Sequence, residues 1–186
     1  RDSVDRVREY VRRSSEELRR LDAVIAPHLD AGVIVTDAGS TKAGVVRECA
    51  AALGGRARFV GAHPIAGTES SGAAAAEADL FRGARCVLTP VASTDADARA
   101  RVRALWEAVG MDVVEMAPEA HDELLALTSH VPHLLAFALT GAAAAFRTAR
   151  GGTPDPFAFA GPSFRDATRV AASSPEMWRD ILLGNA

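Results

Sequence analysis

Lysine and cysteine are scarce in this chain. Of the 21 basic residues, 20 are arginines and Lys42 is the single lysine. A lone lysine against that bias is either chance or the mark of a place that needs a compact ammonium group. The two cysteines, Cys49 and Cys86, are too few for a disulfide framework and lack metal-ligand spacing. We therefore expect reduced, buried thiols in a cytoplasmic protein.

Three further features are missing, and each argues against a class of protein. The net charge is −3 and no basic block occurs, which argues against nucleic acid and against a membrane surface as partners. No apolar run approaches the roughly 20 residues that span a bilayer. The segment 1–20 is a charged helical pattern rather than a signal peptide. With 48% hydrophobic and 24% charged residues, the composition is typical of a soluble globular protein.

Hydrophobic periodicity divides the chain near residue 117. Over residues 1–116, strands alternate with helices, which predicts an α/β part with a mostly parallel sheet. Over residues 117–186 the pattern is all helical, with one long apolar stretch and two short helices after a Gly- and Pro-rich loop. The predicted helices include 1–29, 41–53, 95–109 and 118–146, and the predicted strands are 32–36, 58–62, 86–90 and 111–116.

Two polar loops follow predicted strands, at the edge where open α/β sheets bind ligands. The second loop begins at His63, and if the two strands are neighbours, Ser40 of the first loop faces the same crevice. Small residues in the first loop let a flat cofactor ring approach the backbone. The candidate cofactor-binding residues are therefore Asp37, Gly39, Ser40 and Thr41.

Each of these polar residues also has a purely structural explanation. Ser40 or Thr41 alone suits the N-cap of the next helix, with Lys42 exposed to solvent. His63, which precedes a proline, also fits a hydrogen-bonded structural histidine.

The long apolar helix carries two histidines on one face, His130 and His133. Pro132 between them lacks an amide hydrogen, and it disturbs the helix at a cost of about 3 kcal/mol unless something compensates. That cost indicates a site rather than plain packing. No carboxylate-rich cluster accompanies the histidines, so we expect no metal ion.

Near the end of the chain, Arg165 and Arg169 stand four residues apart and precede Trp178. Arginines in this spacing suit two-point binding of a carboxylate. The structural alternative is a pair of surface arginines, with Asp166 paired locally to Arg169.

Taken together, these motifs resemble the prephenate dehydrogenase family. Four groups of residues carry the resemblance, in the family's order and with family-like spacing. They are Asp37–Lys42, then Gly61–Pro64 continuing through Gly67–Gly72, then His121-Asp122 with Ser129–His133, and finally Phe164–Arg169 with Met177–Asp180.

The resemblance implies a partial Rossmann-like sheet followed by a helical substrate and dimerisation domain. It implies an enzyme that oxidises the ring carbinol of prephenate or arogenate in tyrosine biosynthesis, with hydride transfer to NAD or NADP and loss of carbon dioxide. His63 would accept the proton of the C4 hydroxyl, and Ser40 would hydrogen-bond the same hydroxyl. Arg169 would bind a substrate carboxylate. Further pocket residues would be His133, His130 and Trp178, and the chain would form a homodimer.

The family's usual strand, glycine-rich G-x-G-x-x-G turn and helix do not occur in these 186 residues. Either the chain is a fragment or it has diverged, and the residues for the pyrophosphate and ribose are not named. One alternative function is therefore an inert module of the same ancestry that binds prephenate or tyrosine and dimerises. Another is a related hydroxy-acid dehydrogenase with different substrates.

Overall fold

The computed structural model describes Arg20, residues 24–68 and residues 76–185. Most of the predicted helix 1–29 and the end of the second polar loop, 69–72, lie outside the described residues. A 3-10 turn at Ala26–His28 follows the helical residues Val24 and Ile25 and precedes the first strand.

The α/β part alternates short strands with helices, as the periodicity predicted. The ends of the predicted elements differ from the observed ends by at most two residues, which is the usual uncertainty of helix and strand boundaries. Its elements are β1 (Ile34–Thr36), α1 (Ala43–Leu53), β2 (Arg58–Val60), β3 (Ala62–Ile65), β4 (Arg85–Leu88), α2 (Ala96–Ala108) and β5 (Asp112–Glu115).

The strands form two small sheets that meet at Gly61. β1 pairs with β2 in parallel, and β4 pairs with β5 in parallel. β3, however, runs antiparallel to β4, with His63 opposite Val87. The prediction of a mostly parallel sheet is confirmed, but His63 was placed wrongly in a loop. The strand resumes after Gly61, because the pairing with β4 extends through Ile65.

Gly61 is required by packing rather than by backbone conformation. A Cβ at this position would lie 2.5 Å from Thr89 Oγ1 and 2.8 Å from Val46 Cγ2. The close approach lets the end of β2 and the start of β3 pass tightly over α1. The core beside it consists of Val60, Ala62, Cys86, Leu88, Ala98, Val102, Met111 and Val113. Both cysteines are buried thiols outside any disulfide, as predicted.

The second part is helical throughout its described length. Its α-helices are α3 (Pro118–Leu125), α4 (Val131–Ala149), α5 (Pro162–Thr168) and α6 (Pro175–Gly184). A π turn at Ala126–His130 joins α3 to α4, and a 3-10 turn at Arg169–Ala172 follows α5. The disturbance predicted at Pro132 is this π turn, since Pro132 lies immediately beyond it, in the first turn of α4. Such wide turns are frequent at functional sites.

One face of the long helical stretch is apolar and exposed. By length and composition alone, Pro118–Ala149 is long enough and apolar enough to cross a membrane, which the sequence analysis did not anticipate. Its large exposed side chains include Leu127, Val131, Leu134, Leu135 and Leu139. A monomeric soluble protein rarely exposes such a patch, so this face is expected to meet another surface.

Candidate active site

A cavity of about 460 Å³ lies between the end of β3 and the helical part. Its volume is in the range of sites that hold small molecules. The structure brings six predicted site residues into its wall, which are Ser40, His63, His130, His133, Arg169 and Trp178.

His63 reaches the cavity because of its place on β3. Side chains alternate along a strand, so Ala62 packs into the core while His63 points to the opposite face, towards the helical part. There its Nδ1 lies 2.8 Å from Nε2 of His121, which is fully buried in α3. The other ring nitrogen of His63, Nε2, is therefore the one available to a molecule in the cavity.

His121 is in turn bound to the carboxylate of its neighbour Asp122, with 2.8 Å between Nδ1 and Oδ1. The same carboxylate accepts hydrogen bonds from the backbone amides of Lys42, at 2.7 Å, and Ala43, at 2.8 Å. These amides open α1, so Asp122 caps a helix of the other part of the protein. A carboxylate is favourable at a helix N-terminus because amide hydrogens and the helix dipole are concentrated there.

The electrostatics of this buried cluster favour a neutral His63. Burial, and then the nearby His121, Lys42 and His130, lower the pKa of His63 to about 3. Burial alone would raise the pKa of Asp122, but hydrogen bonds from His121 and from the two amides of α1 outweigh it and lower the pKa. Asp122 therefore stays ionised, and His63 stays neutral.

Hydrogen bonds from Asn185 determine which ring nitrogen of His130 carries the proton. The Asn185 amide nitrogen donates to the backbone oxygen of Asp122, at 2.8 Å, and this bond fixes the orientation of the amide. The same nitrogen lies 3.1 Å from His130 Nδ1, which must accept. Neutral His130 therefore carries its proton on Nε2. Burial is the main cause that lowers the pKa of His130.

His133 and Trp178 form a stacked pair on the cavity wall. Their ring centroids are 3.4 Å apart and their planes differ by 15°. His133 Nδ1 donates to the Ser129 carbonyl oxygen at 2.9 Å, which leaves Nε2 for the cavity. Trp178 is buried, and among the described residues its Nε1 has no hydrogen-bond partner. An unpaired buried donor is costly to the folded state.

Arg169 lines the cavity, but Arg165 does not. α5 ends at Thr168, and Arg169 begins the 3-10 turn that follows it. Only Arg169 is therefore placed to meet a bound anion.

The first polar loop is organised by Asp37. One carboxylate oxygen accepts from the amide of Gly39, at 2.9 Å, and also binds Lys42 Nζ. The other oxygen accepts from the Ala62 amide at 3.0 Å, which joins the loop to β3. Asp37 thereby ties the loop that carries Ser40 to the strand that carries His63. Gly39 lies so close to Asp37 that a Cβ there would be 2.9 Å from Asp37 Oδ2.

The structural alternatives for this loop are wrong. Neither Ser40 nor Thr41 caps α1, whose N-cap residue is Lys42 without a side-chain cap, and Asp122 supplies the cap instead. Lys42 is fully buried rather than solvated. Burial lowers its pKa, and the charge of Asp37 offsets part of that shift. The single lysine thus occupies a place that suits a compact ammonium group.

Sequence reasoning gave no role to His121, Asp122 or Asn185. His121 and Asp122 were noticed as an adjacent pair, but their partners lie 58 and 80 residues away along the chain. A His-Asp pair at the start of an apolar helix was the available signal. Within the described ranges, no group of three possible metal ligands occurs.

Comparison with known proteins supports one family for both parts. The model of the prephenate dehydrogenase nucleotide-binding domain matches residues 16–115, and that of the dimerization domain matches residues 117–186. The fold and the site thus define a nucleotide-binding α/β domain joined to a helical dimerisation domain. The chain belongs to the prephenate dehydrogenase family.

Individual relatives agree with this assignment. Over 164 residues the chain is 44% identical to a cyclohexadienyl dehydrogenase of Zymomonas mobilis, covering 88% of this chain and 55% of the relative. Over 155 residues it is 43% identical to a prephenate dehydrogenase of Bacillus subtilis, covering 82% of this chain and 40% of the relative. The chain thus spans about half the length of the curated relatives it matches.

Solved structures show the same fold. A prephenate dehydrogenase of Aquifex aeolicus, in complex with hydroxyphenyl propionate and NAD+, superposes with a TM-score of 0.82 at 40% identity. The match covers 92% of this chain and 58% of that one. A Synechocystis arogenate dehydrogenase has a TM-score of 0.69 at 31% identity, covering 89% of this chain and 58% of that one.

Proposed function

We propose that the protein to which this chain belongs oxidises and decarboxylates prephenate or arogenate, with NAD as hydride acceptor. The observation that carries the proposal is that His63, Ser40 and Arg169 lie in the wall of one and the same cavity. It offers a neutral proton acceptor, a hydroxyl group and a guanidinium group to one small ligand. NAD is preferred over NADP because the related A. aeolicus structure contains NAD+.

The proposed division follows the two matched domains. Residues 1–116 would contribute to the dinucleotide-binding part, and residues 117–186 would supply the substrate and dimerisation part. The cavity lies where these parts meet, since Ser40 and His63 come from the first and Arg169 from the second.

The residues present fit one end of the cofactor. Asp37 draws the loop after β1 back towards β3, and the small residues Gly39 and Ser40 leave room for a flat ring beside His63. Thr41 continues this loop as a candidate contact. When bound, the nicotinamide supplies the acceptor for the C4 hydride. The glycine-rich turn that would hold the pyrophosphate does not occur in these 186 residues.

The proposed chemistry requires the protein to remove one proton and hold one dianion. His63 Nε2 accepts the C4 hydroxyl proton as the hydride leaves, and the hydroxyl becomes a carbonyl. The bond from the ring to its carboxylate then breaks, carbon dioxide departs, and its electron pair makes the ring aromatic. Ser40 orients the hydroxyl, and Arg169 binds a carboxylate of the substrate. His130, His133 and Trp178 surround the rest of the molecule.

A turnover assay with the full-length protein tests this proposal. Prephenate and arogenate are each incubated with NAD and with NADP, while the absorbance of the reduced nicotinamide is followed. NAD reduction with either substrate supports the proposal, and the faster substrate defines the specificity. No reduction of either cofactor, with tight binding of prephenate or tyrosine, would instead support an inert binding module.

We also propose a homodimer formed through the exposed face of α4. The large side chains Leu134 and Leu135 are 50% and 62% exposed in the monomer. Burying such leucines stabilises an interface by about 1.5–3 kcal/mol per side chain. The match to the family's dimerization domain covers this helix and supports a second copy as the occupant.

A further inference from the structure

Three side chains that β3 and α3 bring together form a continuous hydrogen-bonded chain. It runs from the Asp122 carboxylate to His121, and from His121 to His63, with 2.8 Å at each step. All three residues are buried, with His121 fully so. Only His63 lines the cavity, so the other two do not touch a ligand there.

The chemistry of the end group determines the direction of every hydrogen bond. An ionised carboxylate only accepts, so His121 Nδ1 carries a proton and donates it to Asp122. In a His121 ring that carries one proton, Nε2 then has a lone pair, and it accepts from Nδ1–H of His63. His63 is thereby left with a lone pair on Nε2, which is the nitrogen available to the cavity.

Asp122 is itself held by the other part of the protein. Its two oxygens accept from the amides of Lys42 and Ala43 at the start of α1. Docking of the helical part against α1 therefore fixes the carboxylate, and the carboxylate fixes the tautomer of both imidazoles. The ability of His63 to accept a proton at Nε2 therefore depends on the contact between the helical part and α1.

We propose that His121 and Asp122 are positioning residues of a proton relay that sets the tautomer of His63 and takes over its charge. The proposal rests on the dehydrogenase function proposed above. As His63 Nε2 takes the substrate hydroxyl proton, its Nδ1 proton passes to His121 Nε2. The positive charge then lies on His121, whose Nδ1–H remains bound to the Asp122 carboxylate, and no net proton enters or leaves the three groups beyond the one accepted.

The relay answers a difficulty in the site. Burial, His121, Lys42 and His130 all disfavour a positive charge on His63 itself. An imidazole so placed would be a poor proton acceptor alone. Moving the charge one ring further places it against a carboxylate, where the charged form is favoured.

The substitution Asp122→Asn separates this relay from simple helix capping. Oδ1 of Asp122 accepts from both the Lys42 amide and His121 Nδ1, so an asparagine oxygen in its place keeps both hydrogen bonds. The NH₂ group replaces Oδ2, and the negative charge that would stabilise a positive charge on His121 is removed. Asp95→Asn is the matched control, because Asp95 caps α2 through the amide of Ala98, away from the cavity.

The first readout is independent of turnover. The chain is labelled with ¹⁵N-histidine, the signals are assigned with His63→Asn, and the protonated nitrogen of each ring is read from the ¹⁵N spectrum at neutral pH. We expect His63 to carry its proton on Nδ1 both in the unsubstituted chain and in Asp122→Asn, since the asparagine oxygen still accepts from His121 Nδ1. A proton on Nε2 of His63 in the unsubstituted chain would overturn the relay, even if the variant does not fold.

The second readout uses the full-length protein. Asp122→Asn should lower kcat by about 100-fold or more with little change in KM, whereas Asp95→Asn should leave both unchanged. His121→Phe, which removes the intermediate ring, should match Asp122→Asn. Unchanged kcat in a folded variant would overturn the relay. No turnover in the unsubstituted protein, together with the expected spectrum, would instead reject the dehydrogenase function and retain the tautomer assignment.

Discussion

The imidazole of His133 lies flat against the indole of Trp178, with 3.4 Å between the ring centroids. The stack joins α4 to α6 and closes one side of the cavity. Trp178 also has an indole N–H without a partner among the described residues. The indole therefore has two separable properties, a flat face and a donor.

Substitution of Trp178 separates these two properties. Trp178→Phe keeps an aromatic face and removes the donor, and Trp178→Leu removes both. We expect little change in substrate KM for the first variant, because the buried N–H is out of reach of a ligand in the cavity, and a rise for the second, because the aromatic surface is lost. Steady-state kinetics of the full-length protein measure this, and equal KM values for all three proteins would exclude a ligand contact.

His63→Asn tests the proposed proton acceptor. We expect kcat to fall by about 10² to 10⁴ with little change in substrate binding, because its contribution is greatest in the transition state. His28→Asn is the control, since His28 is exposed and lies outside the cavity. A rate in the first variant equal to that in the control would reject His63 as the proton acceptor.

Arg169→Ala tests the proposed carboxylate contact. Loss of a charge-assisted pair should weaken substrate binding by about 10-fold to 100-fold. Arg165→Ala is a matched control because Arg165 precedes it by one turn and does not line the cavity. Similar substrate affinities for the two variants would show that the guanidinium of Arg169 does not meet the substrate.

The lowered pKa of His63 predicts an effect on stability at acid pH. Above pH 6.5 the ring is neutral in both folded and unfolded chains, so it adds no pH dependence. Between pH 6.5 and about 3 the unfolded chain binds a proton that the folded chain does not, so stability falls as pH falls. The slope is at most about 1.4 kcal/mol per pH unit for one proton.

Urea unfolding of the chain at several pH values measures this effect. The slope should decrease in His63→Gln and remain in His28→Gln, because only the first ring is buried. His130 contributes in the same direction, since burial lowers its pKa as well, so the slope should not vanish. An unchanged slope in His63→Gln would contradict the shift.

The exposed apolar face of α4 predicts the oligomeric state. Leu135→Glu should convert a dimer into a monomer, because it places a charge within the proposed interface. Leu105→Glu is the control, since Leu105 is similarly exposed, at 53%, but lies on α2. Light scattering after gel filtration measures the mass, and a monomeric unsubstituted protein would exclude this interface.

The sequence by itself determined the class of fold, the family and the residue types of the cavity. Strand and helix periods are local properties, so alternation before residue 117 and helices after it are readable without coordinates. The single lysine was also visible, although chance remained an explanation until its burial against Asp37 was known.

Only the tertiary structure decided which residues act together. The placement of His63 on a strand follows from pairing with β4, and the packing of the helical part brings Arg169, but not Arg165, into the cavity wall. The cap of α1 by Asp122 spans about 80 residues of chain. Hydrogen bonds between distant groups depend on packing of whole elements, and no local pattern of residues encodes the distance between their atoms.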